Sequence, residues 1–86
     1  MIVLTVFSRP GCHLCEEMIA ELEPLVAGRA RIEVVDISDD ESLEARYGTA
    51  IPVLRHGEEE LARYRLDPAR VTRLLGREST LQGALK

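Results

Sequence analysis

Two hydrophobic rhythms alternate along the chain. Ile2-Val3-Leu4-Thr5-Val6-Phe7 is almost continuously apolar and β-branched. A strand covered on both faces by helices reads this way. Ser8-Arg9-Pro10-Gly11 breaks the run as a loop. From His13 to Ala27, the residues Leu14, Met18, Ile19, Leu22, Leu25 and Val26 fall at helical spacing. Glu16, Glu17, Glu21 and Glu23 occupy the other face. Gly28 suits the C-terminal cap. Pro24 removes a backbone hydrogen bond inside this helix, so a kink or a weakened last turn is expected there.

Arg31-Ile32-Glu33-Val34-Val35-Asp36-Ile37 predicts a second strand. Ser38 and Glu41 are spaced as a capping box, which predicts a short helix from about Asp39 to Tyr47, ended by Gly48. Ile51-Pro52-Val53-Leu54-Arg55 predicts a third strand, with proline at its head where a missing N–H is tolerable. His56-Gly57-Glu58 then makes a hairpin turn, and Glu60 to Tyr64 a fourth strand. Asp67-Pro68 is a helix start, a capping residue followed by proline in the first turn. Val71, Leu74 and Leu75 give that helix its buried side, and Gly76 its stop. Residues 77–86 have weak periodicity and read as a tail or a frayed helix.

The order is therefore β-α-β-α-β-β-α. The first two strands are joined through a helix and should be parallel, while the last two share a tight turn and should be antiparallel. An α/β fold follows, a mixed four-stranded sheet flanked by helices. The chain has 86 residues, which is room for one domain, assigned to 1–76. No linker, repeat or low-complexity stretch divides it. No apolar run reaches the roughly 18 residues of a membrane helix, and Met1 to Phe7 lacks the flanks of a signal peptide. A cytoplasmic monomer with no membrane or nucleic-acid partner is the expectation.

Charge sharpens the last point. The formal net charge is −4, a poor profile for nucleic acid. It is unevenly placed: residues 63–86 carry +4, leaving −8 for residues 1–62. A solvated basic helix explains the positive end, toward which anionic ligands would be drawn.

The chemistry concentrates in Cys12-His13-Leu14-Cys15. The two cysteines are the only ones in the chain and close too short a loop to staple distant parts of a fold. Cys12 falls at a helix N-terminus, where free N–H groups and the helix dipole favour the thiolate, the nucleophilic form. Cys15, three residues on, falls on the same face. Cys12 can attack a disulfide and Cys15 can resolve the mixed disulfide that results. The other readings are a structural disulfide, half of a zinc site and two inert buried thiols. A zinc site wants four ligands, and only Cys12, Cys15, His13 and His56 are on offer, with His13 directed away from the sulfurs. A cluster shared between two chains is a further, weaker idea.

Ser8-Arg9-Pro10-Gly11-Cys12-His13-Leu14-Cys15, followed by Ile51-Pro52 ahead of an antiparallel hairpin, resembles the thioredoxin superfamily, and within it the small glutaredoxin-like proteins. The resemblance covers residues 2–76. It implies a thioredoxin-like fold, a cis peptide between Ile51 and Pro52 facing the cysteines, and backbone pairing of a substrate beside Ile51. Arg9 matches a basic position that in glutaredoxins contacts a carboxylate of glutathione. As a loop residue it equally suits solvent. No bound cofactor is implied; glutathione is a candidate co-substrate, with protein or glutathione disulfides and a reductase as partners.

The sequence also departs from the family. His13-Leu14 replaces the usual proline and aromatic residue between the cysteines. Arg65-Leu66-Asp67-Pro68 stands where glutaredoxins carry a glycine pair, and no tryptophan precedes the motif as it does in thioredoxins. Two functions are carried forward: thiol-disulfide exchange through the Cys12/Cys15 dithiol, or a non-catalytic thioredoxin-fold binding module or redox sensor. Tyr47 is expected to pack near the site, and His56 to be solvated.

Overall fold

The structure, a computed structural model, describes the backbone of residues 2–84 and the side chains of residues 2–77. Strand β1 (Ile2–Ser8) leads through helix α1 (His13–Val26) to β2 (Ala30–Asp36). Helix α2 (Glu41–Tyr47), strands β3 (Val53–His56) and β4 (Glu59–Arg63), and helix α3 (Pro68–Ala84) follow. The sheet order is β2-β1-β3-β4. β1 and β2 run parallel, with Leu4 beside Ile32 and Phe7 beside Val35. β3 lies antiparallel to β1 and to β4. This is the mixed sheet and element order expected from the hydrophobic pattern.

Because successive strand residues point to opposite faces, β1 feeds two cores. Leu4 and Val6 meet Met18, Leu22 and Val26 of α1, Leu54 and Leu61 of the hairpin, and Val71, Leu74 and Leu75 of α3. Phe7 faces the other way, toward Ile37, Tyr47, Ala50 and Val53. There its ring stacks on Tyr47 with centroids 4.5 Å apart. Arg55 closes this smaller core: it donates from Nη1 to the Tyr47 hydroxyl at 2.7 Å and lies 5.6 Å from the Phe7 ring centroid.

Several local expectations need correction. The cap of α2 is Asp40, whose carboxylate accepts the Leu43 amide at 3.0 Å. Ser38 lies two residues before that cap, and its amide and hydroxyl donate to Asp36, at 2.9 and 2.6 Å. β3 begins after Ile51-Pro52, at Val53, and His56 is its half-buried last residue rather than a solvated turn residue. α3 runs through Gly76 to Ala84. An interior glycine costs a helix only about 1 kcal/mol, too little to stop one that is anchored by buried leucines on the preceding turn. Of the segment expected as a tail or frayed helix, residues 85 and 86 lie outside the described residues. Asp67 does cap α3, its carboxylate accepting the Arg70 amide at 3.3 Å.

Gly48 ends α2 and allows no side chain. A Cβ there would lie 2.5 Å from the Glu44 carbonyl oxygen. Backbone must move to relieve that clash, so Gly48→Ala is expected to cost about 1–3 kcal/mol. A lowered urea midpoint at unchanged slope checks it.

Candidate active site

The site forms where β1 ends and α1 begins. Gly11 adopts φ +78°, a left-handed conformation open to glycine at no steric cost. The turn it makes lets the Cys12 amide donate to the Arg9 carbonyl at 3.2 Å. Cys12 is then the capping residue of α1, with extended backbone. Its Sγ accepts the Cys15 amide at 3.2 Å, and its carbonyl accepts the Glu16 amide at 3.1 Å.

Cys12 and Cys15 are joined as a disulfide, with Cα atoms 5.2 Å apart. The two sulfurs are not equivalent in their surroundings. Cys15 is 1% exposed, whereas Cys12 is half-buried. After reduction, the amide aimed at Cys12 Sγ and the positive end of α1 stabilise negative charge on that sulfur. Geometry thus gives the accessible cysteine the donor that a thiolate needs, and places the second cysteine behind it.

The pairing of Phe7 with Val53 sets Ile51-Pro52 at the same end of the sheet as this loop. The Ile51–Pro52 peptide is cis, and Pro52 is buried. The Ile51 amide donates to the Tyr47 carbonyl at 3.1 Å, so strand-like pairing of a substrate beside Ile51 would run through its carbonyl. The Pro52 carbonyl accepts the Tyr64 amide at 2.9 Å. Tyr64 holds φ +65° and is 48% exposed. This tie between the proline loop and the segment after β4 has no local sequence signal.

Arg9 is placed beside the site but is already engaged. Its Nη2 donates to both Glu44 carboxylate oxygens, at 2.6 and 2.7 Å. The partners are 35 residues apart, so sequence reading missed the pair. Asp36 is close by. The Ser38 hydroxyl, then the Ser38 amide, and the Arg9 charge hold its carboxyl below the ordinary value, against a small desolvation. Arg9, Asp36 and Glu16 line one shallow groove of about 290 Å³ with Pro10, Gly11 and Val34.

His13 turns into solvent, 84% exposed, with Nε2 3.4 Å from Glu17. Tyr47 is buried against Phe7 in the smaller core, and its carbonyl accepts the Ile51 amide. Among the described residues, no three or more Cys, His, Asp or Glu side chains are grouped to hold a metal ion. Among them, too, no helix is long and apolar enough to cross a membrane.

Comparison with known proteins agrees with this geometry. The family described as Glutaredoxin-like domain (DUF836) matches residues 3–76. The crystal structure of the structural-genomics target protein XcR50 from X. campestris is similar over 86% of this chain and 96% of its own, with 35% identity and a TM-score of 0.71. The solution structure of XcR50 gives 35% identity, 90% and 95% coverage, and a TM-score of 0.69. A mutant thioredoxin from Halobacterium salinarum shares the fold at 22% identity, with 86% and 71% coverage and a TM-score of 0.56. No curated protein matches the chain. A cysteine-capped helix after the first strand, a cis proline leading the third, and a family match over nearly the whole length agree: the chain belongs to the glutaredoxin-like domain family of the thioredoxin superfamily.

Proposed function

We propose that the protein is a thiol-disulfide oxidoreductase. The observation that carries this reading is the asymmetric pair: a half-buried Cys12 whose sulfur caps α1, backed by a buried Cys15. In the reduced protein the Cys12 thiolate attacks one sulfur of a substrate disulfide. A new S–S bond forms to Cys12, the substrate bond breaks, and the leaving sulfur departs as a thiolate that takes up a proton. Cys15 gives up its proton and attacks Cys12 Sγ. The Cys12–Cys15 disulfide forms and the second substrate half leaves as a thiol. The substrate gains two electrons and the protein loses two. Two molecules of a monothiol such as glutathione, or one reductase dithiol, return them. No bound cofactor enters the cycle.

The Ile51 carbonyl and the Pro52 loop supply a backbone edge for the substrate chain, in the manner of strand addition. Arg9 steadies the loop that carries Cys12 through its ion pair with Glu44. The protein works as a monomer in a reducing compartment such as the cytoplasm, on protein or glutathione disulfides.

A second reading has one observation in its favour. Arg65-Leu66-Asp67-Pro68 replaces the glycine pair through which glutaredoxins hold glutathione, and Asp67 is occupied in capping α3. On that reading the dithiol is a redox sensor on a binding module. The two separate in one experiment. The pair is titrated against a glutathione buffer, and turnover is then followed with disulfide substrates and excess thiol. The oxidoreductase reading expects reversible two-electron oxidation with multiple turnovers. Oxidation without turnover supports the sensor, and a Cys12 thiol titrating near the free value of about 8.5 with no exchange removes the first reading.

A further inference from the structure

The proposed function leaves open what kind of disulfide reaches Cys12. A second groove, of about 220 Å³, begins at Leu14, between the two cysteines. Glu17 and Glu21 form its wall on α1, and Tyr64, Arg65 and Leu66 its wall after β4. The far wall is fixed relative to the site, since the Tyr64 amide is bonded to the Pro52 carbonyl. Tyr64 offers an exposed aromatic ring there, with apolar side chains at Leu14 and Leu66.

The charge around the dithiol is predominantly negative. Glu17 and Glu21 face a single guanidinium, Arg65, across the groove. On the other side of the loop, Arg9 is neutralised by Glu44, with Asp36 and Glu16 beside it. A net positive cluster lies elsewhere, where Arg70, Arg73 and Arg77 share a groove with Glu59. Arg70 and Arg77 approach Glu59, the first residue of β4, at the opposite end of the hairpin from Val53 and the proline loop. The groove beside Leu14 therefore carries two carboxylates against one guanidinium, while the groove at Glu59 carries three guanidiniums against one carboxylate.

We propose that this groove receives an extended segment of a protein substrate carrying lysine or arginine next to its disulfide. The inference rests on the oxidoreductase reading and specifies its substrate class. Glu17 and Glu21 supply charge complementarity, Tyr64 and Leu14 the apolar contact, and the Ile51 carbonyl the backbone edge. The same field repels anionic disulfides, because unlike charges speed encounter and like charges slow it.

The test uses three symmetrical disulfides of pentapeptides with a central cysteine, flanked by lysines, glycines or glutamates. Single-turnover oxidation of the reduced full-length protein is followed for each. The expected order is lysine, glycine, glutamate, with at least a tenfold spread at low salt that shrinks as salt screens the charges. Glu17→Lys with Glu21→Lys inverts the order. Glu23→Lys, on the same helix but outside the groove, keeps it. Equal rates at low salt, or a faster glutamate peptide, overturns the proposal. A second arm uses the lysine peptide with serine in place of cysteine. It should shift the amide resonances of Leu14, Glu17, Tyr64 and Arg65, and no shift there overturns the groove assignment. If none of the three disulfides reacts, the oxidoreductase reading falls while the binding arm still decides the groove.

Discussion

Cys12→Ser reduces disulfide exchange to the uncatalysed background, while Cys15→Ser holds a substrate half covalently on Cys12. These outcomes follow from the unequal placement of the two sulfurs. A serine hydroxyl at position 12 cannot form the mixed disulfide, so no later step exists to rescue it. In Cys15→Ser the first step still runs, because Cys12 keeps its exposure and the amide that stabilises its thiolate. The intermediate then waits for an external thiol. Intact-mass spectrometry reads the difference directly: Cys15→Ser gains the mass of one substrate half, and Cys12→Ser gains nothing. A stable adduct on Cys12→Ser, with none on Cys15→Ser, reverses the roles.

Leu22→Ala is expected to be among the most damaging single changes away from the cysteines. Leu22 is 0% exposed and joins α1 to the larger core. Truncating a leucine in such a place costs about 2–5 kcal/mol, combining lost transfer energy with the cavity left behind. A domain of this size loses roughly 4–8 °C in melting temperature per kcal/mol, so Tm should fall by about 8–40 °C. Calorimetry checks this against Ile19→Ala, a partly buried position on the same helix, which should cost less. Equal losses at the two sites would show that α1 is not anchored through Leu22.

The parts of the fold that were readable in advance rest on short-range rules. The apolar run of β1, the helical spacing of α1 and the Asp67-Pro68 start of α3 each depend on neighbours within one or two turns. The dithiol belongs to this class, since a helix start after a strand is itself a local pattern. At Ser38 and Gly76 the reading failed to a local competitor, and at Arg9 and Tyr64 to a partner distant in the chain. Ser38 turned to Asp36, and Asp40, a better-placed acceptor, capped α2. Buried Leu74 and Leu75 carried α3 through a glycine that cannot stop a packed helix alone. The partner of Arg9 was illegible because Glu44 reaches it only after β2 and α2 have folded back. The bond from Tyr64 to Pro52 likewise exists only once the hairpin has formed.

The division of the interior by the sheet has a consequence for how this molecule can change over time. Val6 and Phe7 are adjacent in the chain yet belong to separate cores. Substitutions that repack Phe7, Ile37, Tyr47 and Val53 are felt beneath α2, on the far side of the strands from Cys15 and Met18. Substitutions in groups that share no partners tend to act additively. The α2 side is therefore free to drift with little direct effect on the thiols, and the Arg9–Glu44 ion pair is the side-chain link through which such drift would reach the loop that holds Cys12.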